Sequence, residues 1–122
     1  MNLQLINREF SICKIKEMDT DLLRNEFVFI GKSDNELSII CETKIIPDNV
    51  IQVDHGWSCF RIAEDAAFEK YGMIAFLSKV IASEKTGILV VATYDTDYIF
   101  IKENKILDVK RALELNGCIF IE

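Results

Sequence analysis

The stretch "ILVVATYDTDYIFI", residues 88–101, decides how the chain is read. The hexapeptide 93–98, of two threonines, two tyrosines and two aspartates, follows the short β-branched run 88–92 and shares Tyr98 with the aromatic run 98–102. Runs of that length and composition are strands buried on both faces. Asp and Thr between them are ordinary turn residues, because their side chains hydrogen-bond nearby backbone. The stretch therefore reads as strand, turn, strand.

Working outward, "WSCFRIA" (57–63) has strand alternation. The segment that follows places Phe68, Ile74, Leu77 and Ile81 at helical spacing, with Ala75 and Val80 widening the stripe. Gly87 after Lys85 is the expected helix stop. Beyond the second strand, Asn104 is the expected cap of a helix carrying Ile106, Val109, Ala112 and Leu113. Gly117 ends that helix, and "CIFIE" (118–122) closes as a strand. The order β-α-β-β-α-β is the ferredoxin-like split motif, an α+β architecture with two helices on one face of a four-stranded antiparallel sheet.

The first half repeats the theme in shorter form. "FVFIGKSDNELSII" (27–40) overlies 88–101 at an offset of 61 residues (27 to 88), with Asp34 on Asp95 and Glu36 on Asp97. "EFSICKI" (9–15) reads as a strand and "MDTDLLRNE" (18–26) as a stub of helix. No room remains for a full helix between Glu42 and Trp57, and His55-Gly56 reads as a turn between units. The expected organisation is an abbreviated unit over 1–55 and a complete one over 56–122. Each is small enough to need the other, or a second chain, for stability.

Composition narrows the function classes. A formal charge of −6 over 122 residues argues against nucleic acid or an anionic membrane as partner, since either needs clustered Lys and Arg. No apolar run reaches the length of a membrane span. Cys13, Cys41, Cys59 and Cys118 are scattered within apolar segments, open to two disulfides or to four buried thiols; the latter suits a cytoplasmic chain. With His55 the single histidine, a zinc site of ordinary spacing is not expected. There is no P-loop and no G-x-G-x-x-G, and no nucleophile elbow, so no enzyme and no cofactor is indicated.

The segments "FEKYGMIA" and "ATYDTDYIF" within 56–117 resemble the ACT domain, in particular small bacterial proteins of two ACT-like units. Such units are also similar to those of cytosolic arginine sensors. The likeness extends more weakly over 9–42. It implies a regulatory role: an amino acid or related metabolite bound where units meet, in a chain that pairs as a homodimer. It further implies that the strand-to-helix loop, Glu64 to Met73 with Gly72 at the helix start, forms one wall of the site. The ligand-binding residues so implied are Tyr71, Gly72, Met73, Thr93, Tyr94, Asp95, Thr96 and Asp97.

The chemistry is consistent, since free N–H groups at a helix start suit a carboxylate and Asp97 suits an ammonium. Glu64, Asp65 and Glu69 depart from the small residues of related loops. They would repel a ligand carboxylate unless they face solvent, which leaves open a cationic ligand, another site, or no ligand. The alternative function is a ligand-free dimerisation or interaction module of the same fold.

Overall fold

The computed structural model describes residues 1–63 and 71–122. The strands are β1 (Asn2–Ile15), β2 (Phe29–Lys32), β3 (Leu37–Glu42), β4 (Val50–Ile62), β5 (Leu89–Ala92), β6 (Asp97–Lys102) and β7 (Ile119–Ile121). The α-helices are α1 (Met73–Ser83) and α2 (Ile106–Leu115). Two compact units result: a larger one of Met1–Asn7 with Ser58–Glu122, and a smaller one of Arg8–Trp57. The strands β1 and β4 each contribute one end to each unit.

In the larger unit the strand order is β7-β1-β4-β6-β5. The β5–β6 hairpin is antiparallel, pairing Leu89 with Phe100 and Ala92 with Asp97. Ala63 N donates to Asn2 O at 2.9 Å, and Arg61 binds the Gln4 side chain. Residue numbers thus rise along β1 as they fall along β4, so the two run antiparallel here. β7 pairs with β1 in parallel, Asn2 opposite Ile119 and Gln4 opposite Ile121. This corrects the expected four-stranded antiparallel sheet. The last strand does not lie beside β4, because the first residues of the chain are inserted between them.

Both helices cover one face of this sheet. Met73, Leu77, Val80 and Ile81 recur on one side of α1, and Val109 and Leu113 on one side of α2. They enclose Leu3, Phe60, Ile62, Ile99 and Ile101 from the strands. The stripe differs from the expected one: Ala75 faces solvent, Met73 takes a core place, and Phe68 lies outside the described residues. The stop of α1 is Lys85, not Gly87. Lys85 holds a left-handed φ of 57° and donates to Ala82 O at 3.0 Å, because the helix has run its last buried turn by Ile81. Asn104 is not a cap. It sits in a 3-10 turn, Glu103–Lys105, which leads directly into α2. Gly117 does end α2: with φ 94° it donates to Glu114 O, and Cys118 N reaches Leu113 O at 3.0 Å. That is the Schellman pattern, and Cys118 and Leu113 share the core beneath it.

The smaller unit has the order β2-β3-β1-β4, the ferredoxin-like order without its α-helices. Apart from the β2–β3 hairpin turn, only 3-10 turns connect its strands, Thr20–Arg24 and Thr43–Ile45. Asp19 accepts from Asp21 N at 2.9 Å to start the first, and Asn25 closes it on Leu22 O. The small core is Cys13, Ile15, Leu22, Ile39 and Cys41. β4 begins at Val50, seven residues ahead of the expected strand, and His55-Gly56 is not a turn. Gly56 takes φ 84° within β4, a conformation that glycine adopts without a Cβ clash, so the strand runs on.

The two hairpins correspond at an offset of 60, not 61. β2 maps to β5 (29 to 89), β3 to β6 (37 to 97), and the turn Thr43–Ile45 to Glu103–Lys105 (43 to 103). The ladders agree, Phe29 opposite Ile40 matching Leu89 opposite Phe100.

All four cysteines are free and buried. Burial pushes the Cys59 thiol from 9.0 up to about 12, and burial with neighbouring Cys13 does the same to Cys41. A thiol whose pKa is raised on folding contributes stability that is complete below the unfolded value. That stability is lost as pH rises toward the folded value. Above pH 9 the urea midpoint should therefore fall, Cys59 contributing about 1.4 kcal/mol per pH unit. Cys59→Ala should flatten that slope; an unchanged slope would show that the thiol ionises in the folded chain.

Candidate functional site

The tip of the β5–β6 hairpin is closed by its own threonines. Thr93 N and Thr93 Oγ1 both donate to Thr96 O at 2.8 Å, and Thr96 N donates back to Thr93 Oγ1 at 3.3 Å. Thr96 Oγ1 also donates to Ile62 O at 2.6 Å. That bond fastens the tip to the end of β4, where the chain leaves for residues 64–70. Those residues, with Glu64, Asp65 and Glu69, lie outside the described ones. Tyr94 is 100% exposed at the apex, and Asp95 beside it is exposed.

Asp97 opens β6 opposite Ala92 and is half-buried. Its carboxylate has no hydrogen bond or ion pair with another described residue. With the hairpins matched at 60, its counterpart is apolar Leu37, and Thr93 and Thr96 stand over Ser33 and Glu36. The backbone closure is shared, since Ser33 N donates to Glu36 O at 2.9 Å as Thr93 N does to Thr96 O. The carboxylate at the start of the second strand belongs to the larger unit alone.

On the other predicted wall, Tyr71 is 97% exposed, and Gly72 occupies the N-cap of α1 with φ 77°. Gly72 O accepts the first helical bond, from Phe76 N at 2.8 Å, and no side chain caps the free N–H groups ahead of it. Met73 is turned into the core against Leu77. Among the described residues no hydrogen bond joins Tyr71, Gly72 or Met73 to the hairpin tip.

Next to the tip, Tyr98 Oη and Gln4 Oε1 accept from Arg61, at 3.3 Å from Nη1 and at 3.0 and 2.9 Å from Nε and Nη2. This ties β1, β4 and β6 together on the sheet face away from the helices.

Sequence reasoning missed a groove in the smaller unit. It has a volume of about 670 Å³ and lies between residues 14–18, the β2–β3 hairpin and Ile51. A neighbouring groove of about 610 Å³ shares Lys14, Asn35 and Glu36 with it. Topologically it occupies the place of the predicted site, a first strand's exit facing a hairpin tip. The repeat of the hairpin was the available signal.

Other polar groups have structural roles. Ser11 Oγ lies 2.8 Å from both His55 Nδ1 and Thr43 Oγ1, but Ser11 is wholly buried and so out of reach of a substrate. Arg8 holds buried Glu42 at 3.1 Å and stands 4.7 Å over the Phe27 ring. The hydrogen bond to Glu42 raises the Arg8 pKa further, against some desolvation. Among the described residues no group of three or more His, Cys, Asp and Glu is placed to hold a metal ion. No helix among them is long and apolar enough to cross a membrane.

Comparison with known proteins supports the fold. No protein of curated function matches by sequence. A structure from Agrobacterium tumefaciens is similar with a TM-score of 0.88 and 28% identity, covering 98% of this chain and 91% of that one. The ligand-free regulatory subunit of aspartate kinase from Thermus thermophilus has a similar fold, with a TM-score of 0.64, 10% identity and coverage of 94% and 97%. A Vibrio cholerae protein described as a possible transport protein matches with a TM-score of 0.74, 18% identity and coverage of 93% and 87%. The ACT domain model matches residues 52–114, more than half of the sequence, and takes in α1, the β5–β6 hairpin and all of α2 but Leu115. The chain belongs to the ACT domain family.

Proposed function

We propose that the protein is a regulator of tandem ACT type that binds an amino acid or a related small metabolite and makes or breaks no covalent bond. The observation that carries this reading is the ACT match over 52–114. On this reading the repeats 1–55 and 56–122 are the two units, residues 1–7 serving the sheet of the second. The output is a shift between two arrangements of units or subunits, driven by the ligand's unequal affinity for them.

The ligand's carboxylate meets the uncapped N–H groups at the start of α1, beside Tyr71, Gly72 and Met73. Asp97 takes the ammonium group, while Thr93, Tyr94, Asp95 and Thr96 shape the wall. A charge-assisted bond of this kind is worth about 1.5–3 kcal/mol. The protein acts in the cytoplasm as a homodimer; a monomer mass in sedimentation equilibrium at high concentration would remove the dimer.

A thermal-shift screen with the twenty amino acids tests the reading. At least one should raise the Tm at millimolar concentration, since a ligand at 100 times its Kd stabilises by about 2.7 kcal/mol. Asp97→Ala should remove the shift of a ligand held at this wall while leaving the unliganded Tm in place. No shift with any of the twenty would overturn the amino-acid reading and favour the interaction module.

A further inference from the structure

We propose that the groove of the smaller unit is a binding site for a zwitterionic α-amino acid with an apolar side chain. This rests on the amino-acid reading above and adds to it the unit and the ligand class.

The floor of the groove is apolar, with Met18, Ile30, Leu37 and Ile51 among its lining. Ile30 and Ile51 remain 46% and 49% exposed there. The rim carries both signs, Lys14, Lys16 and Lys32 against Glu17, Asp34 and Glu36. Among the described residues Lys14, Lys16, Lys32 and Asp34 have no ion-pair partner. Glu36 is held through one oxygen by Ser38 Oγ at 2.7 Å, which orients the carboxylate. The hairpin tip is locked by the Ser33–Glu36 backbone bond, so the site forms at little further ordering cost.

The rim charges cancel, so a carboxylate and an ammonium are both matched while the site as a whole prefers no net charge. The floor decides the side chain. A charged side chain laid on Ile30 and Ile51 would lose water to an apolar surface, whereas an aliphatic side chain covers them. The volume falls within the range of small-molecule sites. The wall of Tyr71–Met73 and Thr93–Asp97 lacks such an apolar floor for a side chain, since its large exposed side chains, Tyr71 and Tyr94, project into solvent.

The test is amide NMR of the full chain titrated with leucine, lysine and glutamate. Leucine should move the signals of residues 14–18, 30–37 and 51, and lysine and glutamate should bind at least about tenfold more weakly. Ile30→Asp, at a half-exposed position, should weaken leucine at least about tenfold, while Leu115→Ala, exposed on α2, leaves it unchanged. Should Ile30→Asp fail to fold, the map on the unaltered chain still decides. Leucine shifts confined to 71–73 and 93–97 would overturn this site while sparing the amino-acid reading. Lysine or glutamate matching leucine in the groove would overturn the ligand class. Groove signals that move with protein concentration alone would make it a contact between copies, and overturn the site. No leucine shift anywhere overturns the site, and the twenty-amino-acid screen then judges the broader reading separately.

Discussion

A chain that starts at Arg8 should lose cooperative folding of the larger unit. Residues 1–7 form the strand between β4 and β7, hydrogen-bonded on both sides. Removing them strips β7 of its only described partner and exposes one edge of β4. It also takes Leu3, wholly buried, out of the helix-covered core, with Met1 and Leu5 packed beside it. Losing Leu3 alone is worth about 2–5 kcal/mol by comparison with core Leu→Ala substitutions. With two ladders gone as well, the loss should approach the roughly 5–15 kcal/mol that a whole domain has in hand. Urea denaturation followed by far-UV circular dichroism should show a broad or absent transition at 25 °C. A truncated chain that melts like the full one would mean that β7 pairs with β4 directly and that the terminal strand is dispensable.

The second large effect is expected from Phe60→Ala. Phe60 has no exposed surface and meets Phe120 edge to face, the ring centroids 5.7 Å apart. It sits on the sheet face that both helices cover, so neither layer can collapse into the space it leaves without moving the other. The cost should be about 3–5 kcal/mol, the upper range for aromatic truncation. For a domain of this size the Tm should fall by more than about 10 °C. Leu115→Ala, at a position 83% exposed on α2, is the control and should change stability by no more than about 0.5 kcal/mol. A Phe60→Ala chain as stable as that control would place the core elsewhere.

These expectations show which parts of the fold were legible in the sequence. The β5–β6 hairpin was readable because strand composition and turn chemistry coincide within fourteen residues. The Gly117 stop was readable because a left-handed residue after an amphipathic stripe has few other candidates. What escaped is set by long-range pairing. "NLQLINR" (2–8) carries only a weak alternation, and nothing local says that it enters the sheet between β4 and β7.

Gly56 was misread because a glycine after a histidine looks like a turn, whereas its positive φ is absorbed inside β4. The hairpin overlay slipped by one residue because it matched acids, Asp34 with Asp95 and Glu36 with Asp97. The backbone matches the closing bonds of Ser33 and Thr93 instead. That slip hid the fact that Asp97 has an apolar counterpart. Residues 14–18, 30–37 and 51, which line the groove of the smaller unit, meet through strand pairing, so the repeated hairpin alone pointed to it.

The central claim is that this ACT protein is a receptor for a small amino-acid-like molecule. Hydrogen–deuterium exchange of the full chain, with and without a millimolar mixture of the twenty amino acids, tests it most directly. Exchange should slow at residues 14–18 and 30–37, at residues 71–73 and 93–97, or at both. Exchange unchanged along the whole chain would contradict it.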